Sequence, residues 1–374
     1  MAKVAVMECG SYDINLLTEK VSKGIEALGG WGYLGLRPGM KVLLKPNMLG
    51  AHPDEAAVTT HTALLRAVIR MVKAQYCEVW VGDSAGGAIM GHLNTERALN
   101  ATGYNRMGQE EGATVLNFDK FGPSIIRTAS GEDMPIARPA LEADYIINMP
   151  KLKTHMLTGM TAALKNYFGC VPGLKKAEYH RYFPTAEKMG TVLADIHEAV
   201  RNDLVIMDAV TAMHKAGPTD GEKYEAKKLL IGTDWLAVDA VAIRMTGRDI
   251  SRLCAYNASI ERELGEWKAE NIQIMGDYSK APHLPGWKLP FVTGLASRLG
   301  GLQSAYLAYN KTVPEINMDT CRACNMCVVS CPVEAIDKVT KAIDYEKCIT
   351  CMCCHELCEY KSVKLTKSRK IKKS

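Results

Sequence analysis

CRACNMCVVSCP (residues 321–332) and CITCMCCHELCE (residues 348–359) are two passes of one pattern. Written by ligand spacing they read Cys321-x-x-Cys324-x-x-Cys327-x-x-x-Cys331-Pro332 and Cys348-x-x-Cys351-x-x-Cys354-x-x-x-Cys358. Two-residue gaps let successive thiolates turn inward around one cuboidal [4Fe–4S] cluster, and the fourth cysteine of such a run ligates the other cluster. The expected sets are therefore Cys321, Cys324, Cys327 and Cys358 for one cluster, and Cys348, Cys351, Cys354 and Cys331 for the other. The two runs are offset by 27 residues, and the framing apolar residues repeat with them: Ile316 with Ile343, Ile336 with Val363.

The duplicated pattern resembles a bacterial two-cluster ferredoxin, a small α+β domain with short paired strands at its ends. A structural zinc site is the alternative for any single Cys-x-x-Cys pair; eight cysteines in a duplicated frame argue against it. Two departures stand out. Glu359 occupies the place where the second run would carry proline, and Cys353 is a ninth cysteine inside that run, read as a spare thiol near the cluster. All-thiolate ligation points to low-potential electron transfer.

Nine of the thirteen cysteines lie between Cys321 and Cys358; Cys9, Cys77, Cys170 and Cys254 are scattered, and Cys170 reads as a buried thiol. The first residues form a strand pattern, not a secretory leader, and no apolar run is long enough for a membrane span, so a cytoplasmic protein is the expectation. The formal net charge is +5, yet Lys361 to Ser374 carries seven basic residues and no acidic one. The body is thus close to neutral and the basicity is a tail, read as a solvated run, with docking of an acidic redox partner as the sharper alternative. Nothing else supports nucleic-acid binding.

Residues 1–312 alternate strand and helix patterns, as in an α/β body with a largely parallel sheet. Strands are expected at Val4–Met7, Lys41–Leu44, Glu78–Val81, Thr114–Asn117, Tyr145–Asn148, Leu204–Met207 and Lys228–Ile231. Helices are expected at Thr60–Ala74, Ala186–Val200 and Trp235–Met245, with another near Leu302–Tyr309. Pro314 is read as a linker, residues 313–366 as the ferredoxin-like domain and 367–374 as the basic tail.

Open α/β sheets bind ligands beyond the carboxyl ends of their strands. Polar residues gather there: Lys45 and Asn47 after the second strand, Asp83, Ser84 and Gly86 after the third, Lys151, Lys153, His155, Lys165 and Asn166 after the fifth, and Asp208 at the sixth. Lys151, Lys153, His155, Lys165 and Asp208 are the catalytic candidates, since ammonium and imidazole groups in an otherwise apolar segment suit an anionic substrate and can donate protons. Lys45, Asn47, Asp83, Ser84, Gly86 and Asn166 are the cofactor-binding candidates, the Gly82–Gly87 loop offering backbone N–H groups to a phosphate. The bland alternatives are lysines on an exposed loop and an ordinary glycine turn. His180-Arg181 is read as surface, and Asp234 as a helix cap.

No Gly-x-Gly-x-x-Gly follows a strand and no phosphate-binding Gly-x-x-x-x-Gly-Lys-Ser/Thr loop is present. A flavin or other two-electron cofactor is left open. Lys45-Pro46-Asn47, Pro150-Lys151-Leu152-Lys153-Thr154-His155, Leu164-Lys165-Asn166, Asp208-Ala209-Val210, Gly232-Thr233-Asp234 and Val238-Asp239-Ala240 resemble the domain-of-unknown-function 362 family. That resemblance implies one α/β unit with a site near Lys151–Asn166 and, commonly, a fused ferredoxin module. The expected function is a reductase passing electrons through two [4Fe–4S] clusters to a small anionic substrate, the alternative an electron-transfer or docking protein that feeds a partner enzyme.

Overall fold

In the computed structural model, residues 1–89, 92–290 and 312–368 are described. The body is built on one sheet whose strands are β1 (Ala2–Glu8), β2 (Lys41–Pro46), β3 (Glu78–Asp83), β4 (Thr114–Asn117), β5 (Tyr145–Met149), β6 (Lys151–His155), β7 (Gly159–Thr161), β8 (Leu204–His214), β9 (Glu222–Gly232) and β10 (Ile272–Gly276). The spatial order is β10-β1-β9-β8-β5-β2-β3-β4. All neighbours along this path are parallel except β9, which runs antiparallel to both β1 and β8.

Alternation along the strands sends side chains to two cores. Ala5, Met7, Val42, Leu44, Val79 and Val81 meet α1 (Ile14–Ala27) and α2 (Thr62–Lys73) on one face. Val4, Val6, Leu43, Ile146, Val205 and Met207 meet α5 (Ala186–Ala199) and α6 (Trp235–Met245) on the other, where the short helices α3 (Ala163–Asn166) and α4 (Lys175–Tyr182) also lie. A period-two strand buried on both faces must read as a nearly continuous apolar run, as these do. Gly24 of α1 lets that helix close on the sheet: a Cβ there would come within 2.5 Å of Ile231 Cδ1.

Each expected strand and each described helix is present, with two differences. Lys151–His155, expected only as a polar stretch after the fifth strand, is itself a fully buried strand that pairs with β8 (Lys151 opposite Asp208, Lys153 opposite Met213). The first half of β8 pairs with β5 instead. Polar side chains hid the strand, because pattern reading demotes a run of Lys, Thr and His. Pro314 is no linker: it sits within β11 (Thr312–Ile316), antiparallel to β12 (Val363–Lys367). The expected helix near Leu302–Tyr309 lies outside the described residues.

The cysteine-rich module repeats in three dimensions as it does in sequence. Helices α7 (Met326–Val329) and α8 (Cys353–Glu356) occupy equivalent places. Ile316 pairs with Val363 in the β11–β12 ladder, and Ile336 bridges to Ile343. Left-handed backbone falls at Ala323 and Asn325, then again 27 residues later at Thr350 and Met352.

Asp234 caps α6, accepting from the Leu236 and Ala237 N–H groups at 3.0 Å, and also accepts from Glu266 N–H. Replacing a cap of this kind costs about 1 kcal/mol. Asp234→Ala is expected to lower the thermal midpoint measured anaerobically, while Asp234→Asn, which keeps an acceptor oxygen, recovers most of the loss.

Candidate functional site

The ends of β2, β3, β6 and α3 converge on one cavity of ≈ 90 Å³, enough for several waters or a small organic molecule. From the body it is lined by Asn47, Asp83, Ser84, Lys153, His155, Lys165, Asn166, Lys176 and His180, among others. From the module it is closed by Ser330, Cys353, Glu356 and Leu357.

Lys45 lies beneath this wall. Its fully buried ammonium is 2.9 Å from Asp83 Oδ1 and donates to the Pro46 carbonyl. Asp83 accepts in turn from the Met48 and Ser84 N–H groups. The pair is sterically conditional on Gly169, where a Cβ would land on the Asp83 carboxylate and 2.7 Å from Lys45 Nζ. The Gly82–Gly87 loop lines the cavity through Asp83, Ser84, Gly86 and Gly87. Its glycines admit the module: a Cβ on Gly86 would come within 2.8 Å of Leu357, and one on Gly87 within 2.5 Å of Met326 Sδ.

Lys153 donates to the Val58 carbonyl at 2.6 Å. Its burial, offset in part by Glu356, pushes the ammonium down to about 7. His155 Nδ1 accepts from the Leu157 and Thr158 N–H groups. Its remaining proton is therefore on Nε2, which stands 3.2 Å from Glu356 Oε1. Burial lowers the His155 pKa, and burial raises that of Glu356, but the surrounding His155, Lys165 and His180 outweigh this and hold the carboxyl at about 2. Lys165 is half-buried, its ammonium 4.1 Å from the centre of the Phe168 ring. Lys176 is held by Ser84 O and Oγ at 2.7 and 2.6 Å, and burial brings it down to about 8. Asn166 is oriented by two bonds from Nδ2, to the Lys45 carbonyl and to Asn148 Oδ1.

Two catalytic candidates, Lys151 and Asp208, are not among the cavity's lining residues. They form a separate buried network: Lys151 donates to Asp208 at 2.9 Å and to the Tyr12 hydroxyl at 2.7 Å, Tyr12 donates to Asp208 at 2.8 Å, and the His61 ring stacks on Tyr12 at 3.6 Å. Charges fully paired in this way hold β6 to β8. Asp239 is likewise structural, accepting from the Ala163 and Leu164 N–H groups at the start of α3.

Sequence reading missed Lys176, His180 and the module's own contribution. His180, expected at the surface, is buried against Phe168 and lines the cavity. Glu356, Cys353 and Leu357 stand where the first half of the repeat has Val329, Met326 and Ser330. A break in an internal repeat was the available signal. Glu359, in place of proline, forms an ion pair with Arg97 of the body at 2.5 Å, and Lys361 and Lys364 stand 3.7 and 3.6 Å from Asp220. Part of the basic run therefore lies against the body; residues 369–374 lie outside the described residues.

The cysteines fit the group their spacing implies. Cys331, Cys348, Cys351 and Cys354 line one cavity of ≈ 20 Å³ in the module. Burial, and then the nearness of Cys324, Cys358 and Cys321, pushes the Cys327 thiol up to about 11. Cys321, Cys331 and Cys358 sulfurs accept backbone N–H groups from Ala323, Ala335 and Ser362 at 3.4, 3.2 and 3.2 Å, contacts that stabilise thiolate and tune a cluster. Among the described residues no group of three or more His, Cys, Asp or Glu closes on a single metal ion. Cys353 lines both the module's cavity and the larger one.

Fold and site together define an α/β protein whose cavity is lined by both the body and a cysteine-rich module. The family model for the domain of unknown function DUF362 matches residues 42–244, more than half of the chain, and the chain belongs to that family. A 4Fe-4S binding domain model matches residues 314–337, so the module is a ferredoxin-like electron-transfer domain. The thylakoid-associated protein sll1697 of Synechocystis sp. is 29% identical over 291 residues, 77% of this chain and 88% of that protein. The pyruvate synthase subunit PorD of Methanothermobacter marburgensis is 36% identical over 56 residues, 15% of this chain and 68% of PorD. The lactate racemase apoprotein of Thermoanaerobacterium thermosaccharolyticum superposes with a TM-score of 0.38 and 12% identity, over 54% of this chain and 50% of that one. Among the described residues no helix is long and apolar enough to cross a membrane.

Gly169→Ala is expected to split the Lys45–Asp83 pair and to cost about 3–5 kcal/mol, because breaking a buried pair strands a charge; anaerobic urea unfolding measures it. Lys153 yields a pH signature. A lysine whose folded pKa lies below its unfolded one binds fewer protons when folded, so its contribution to stability rises as pH climbs from about 7 toward the unfolded value. Thermal midpoints at pH 7 and 9 should show the wild type gaining on Lys153→Met as pH rises; parallel shifts would contradict the assignment.

Proposed function

We propose that this protein is an iron–sulfur oxidoreductase that reduces a small anionic molecule held in the cavity between the α/β body and the module. The carrying observation is Cys353, flanked by the ligand candidates Cys351 and Cys354, which forms wall both to the module's cysteine-lined cavity and to the cavity lined by Lys153, His155 and Lys165. Electron donor and acceptor sites that share a wall need no mobile carrier between them.

Two [4Fe–4S] clusters are assigned, one to Cys321, Cys324, Cys327 and Cys358, the other to Cys348, Cys351, Cys354 and Cys331. When bound, such clusters supply electrons one at a time. A two-electron reduction then takes two electrons from an external one-electron donor protein and two protons from the site. Lys165 supplies positive charge for the anion. Lys153, brought down to about 7, can release a proton near neutrality and be reprotonated from solvent. His155 presents Nε2–H at the wall, oriented by the two N–H groups that its Nδ1 accepts. Asn47, Asp83, Ser84, Gly86 and Asn166 shape the pocket around them, with Lys45 as the buried counter-charge to Asp83. Lys151 and Asp208 keep a positioning role through β6.

The test is anaerobic. Dithionite-reduced protein is freed of excess reductant and offered a panel of small organic anions, and reoxidation is followed by visible absorption. An acceptor that reoxidises the wild type is expected to lose at least ~100-fold in rate with Lys165→Ala or His155→Ala, at unchanged iron and sulfide content. Equal rates in both variants with every acceptor would sink the assignment.

A further inference from the structure

The cavity wall carries polar atoms that the protein leaves without partners. Asn47 Oδ1, Asn166 Oδ1, Thr161 Oγ1, His180 Nδ1 and Ser330 Oγ are all buried, line the cavity and have no hydrogen-bond partner among the described residues. Buried polar groups are nearly always paired, so several on one cavity mark a surface made for a polar ligand.

Asn166 is the most informative. Its residue is only 2% exposed, and both donors of its amide are committed, to the Lys45 carbonyl at 2.9 Å and to Asn148 Oδ1 at 2.8 Å. The atom presented is therefore the amide oxygen, which only accepts. A ligand that satisfies it must bring an N–H or O–H group.

Charge narrows the class further. Lys45 is paired with Asp83, Lys176 is held by Ser84, and Lys153 is held by the Val58 carbonyl. Lys165 alone of the four has no hydrogen bond or ion pair among the described residues. Lys165 thus keeps its N–H donors free for an acceptor, and the nearby Glu356 carboxylate penalises every negative charge added to the cavity. That favours a singly charged carboxylate over a phosphate dianion.

Resting on the reading that this cavity is the substrate site, we propose that it selects a small monocarboxylic acid bearing an N–H or O–H group. The carboxylate lies on Lys165 and the donor on the Asn166 amide oxygen.

The test uses the full-length, cluster-loaded protein, titrated anaerobically by calorimetry with three probes of one size. 3-Hydroxypropionate has both groups, butyrate lacks the donor, and 3-hydroxypropionamide lacks the charge. 3-Hydroxypropionate is expected to bind about tenfold tighter than either, the usual effect of leaving one buried polar group unpaired. Lys165→Gln, with normal cluster absorption, should bring 3-hydroxypropionate and its amide within about twofold of each other. Butyrate or the amide binding as tightly as 3-hydroxypropionate to the wild type overturns the proposal, as does failure of all three to bind. So does a Lys165→Gln protein of normal cluster content that keeps the full preference. These readings involve no electron transfer. The expected preference without reoxidation by any carboxylate would leave the ligand class standing and refute the reductase reading. Lys165-dependent reoxidation only by acceptors without a carboxylate would do the reverse.

Discussion

An ammonium group withdrawn from water must meet an acceptor or give up its proton, and the arrangement around the cavity follows from that requirement. Lys45 meets Asp83, Lys151 meets Asp208, Lys153 meets a carbonyl, and Lys176 meets Ser84. Each solution fixes backbone as well as charge. Asp83 ties the end of β3 to the turn after β2, while Asp208 ties β6 to β8. Gly169 has no side chain because the Lys45–Asp83 pair fills the space one would need. Lys165 alone of the cavity's lysines has no hydrogen bond or ion pair among the described residues, and it stands beside Phe168 and near Glu356.

The same logic separates residues that hold the site from residues that face it. Lys151 and Lys153 are two apart on one strand, so they belong to the same face of the pleat. Yet the register shift between β6 and β8 lies between them, and their partners differ entirely. Lys151 is spent on Tyr12 and Asp208. Lys153 stays at the cavity with a single carbonyl acceptor, so its charge is only weakly compensated. The first kind of burial ties strands together, while the second leaves an ammonium at the cavity wall.

Much of the fold was legible because apolar strands buried on two faces announce themselves, as Lys41–Leu44 and Leu204–Met207 do. The cysteine frame was legible because ligand spacing and a 27-residue repeat are properties of the chain itself. β6 was not, since a strand made of Lys, Leu, Lys, Thr and His is stable only when its partners are already in place. The role of the Gly82–Gly87 loop was also hidden. A glycine needed for the approach of a distant helix looks, in sequence, like one needed for a turn or a phosphate. Glu356 showed in the sequence only as a break in the internal repeat, and the burial of His180 against Phe168 shows only in the folded chain.

The repeat inside the module has a final consequence. A duplicated unit has no intrinsic front or back: its two halves share backbone turns, helix positions and sulfur-directed N–H groups. Docking against the body removes that equivalence. Cys353, Glu356 and Leu357 of one half line the cavity, whereas of their counterparts Met326 and Ser330 meet the body and Val329 remains 43% exposed to solvent. Symmetry is thus broken at one position above all, where a carboxylate faces the body and its counterpart valine faces water.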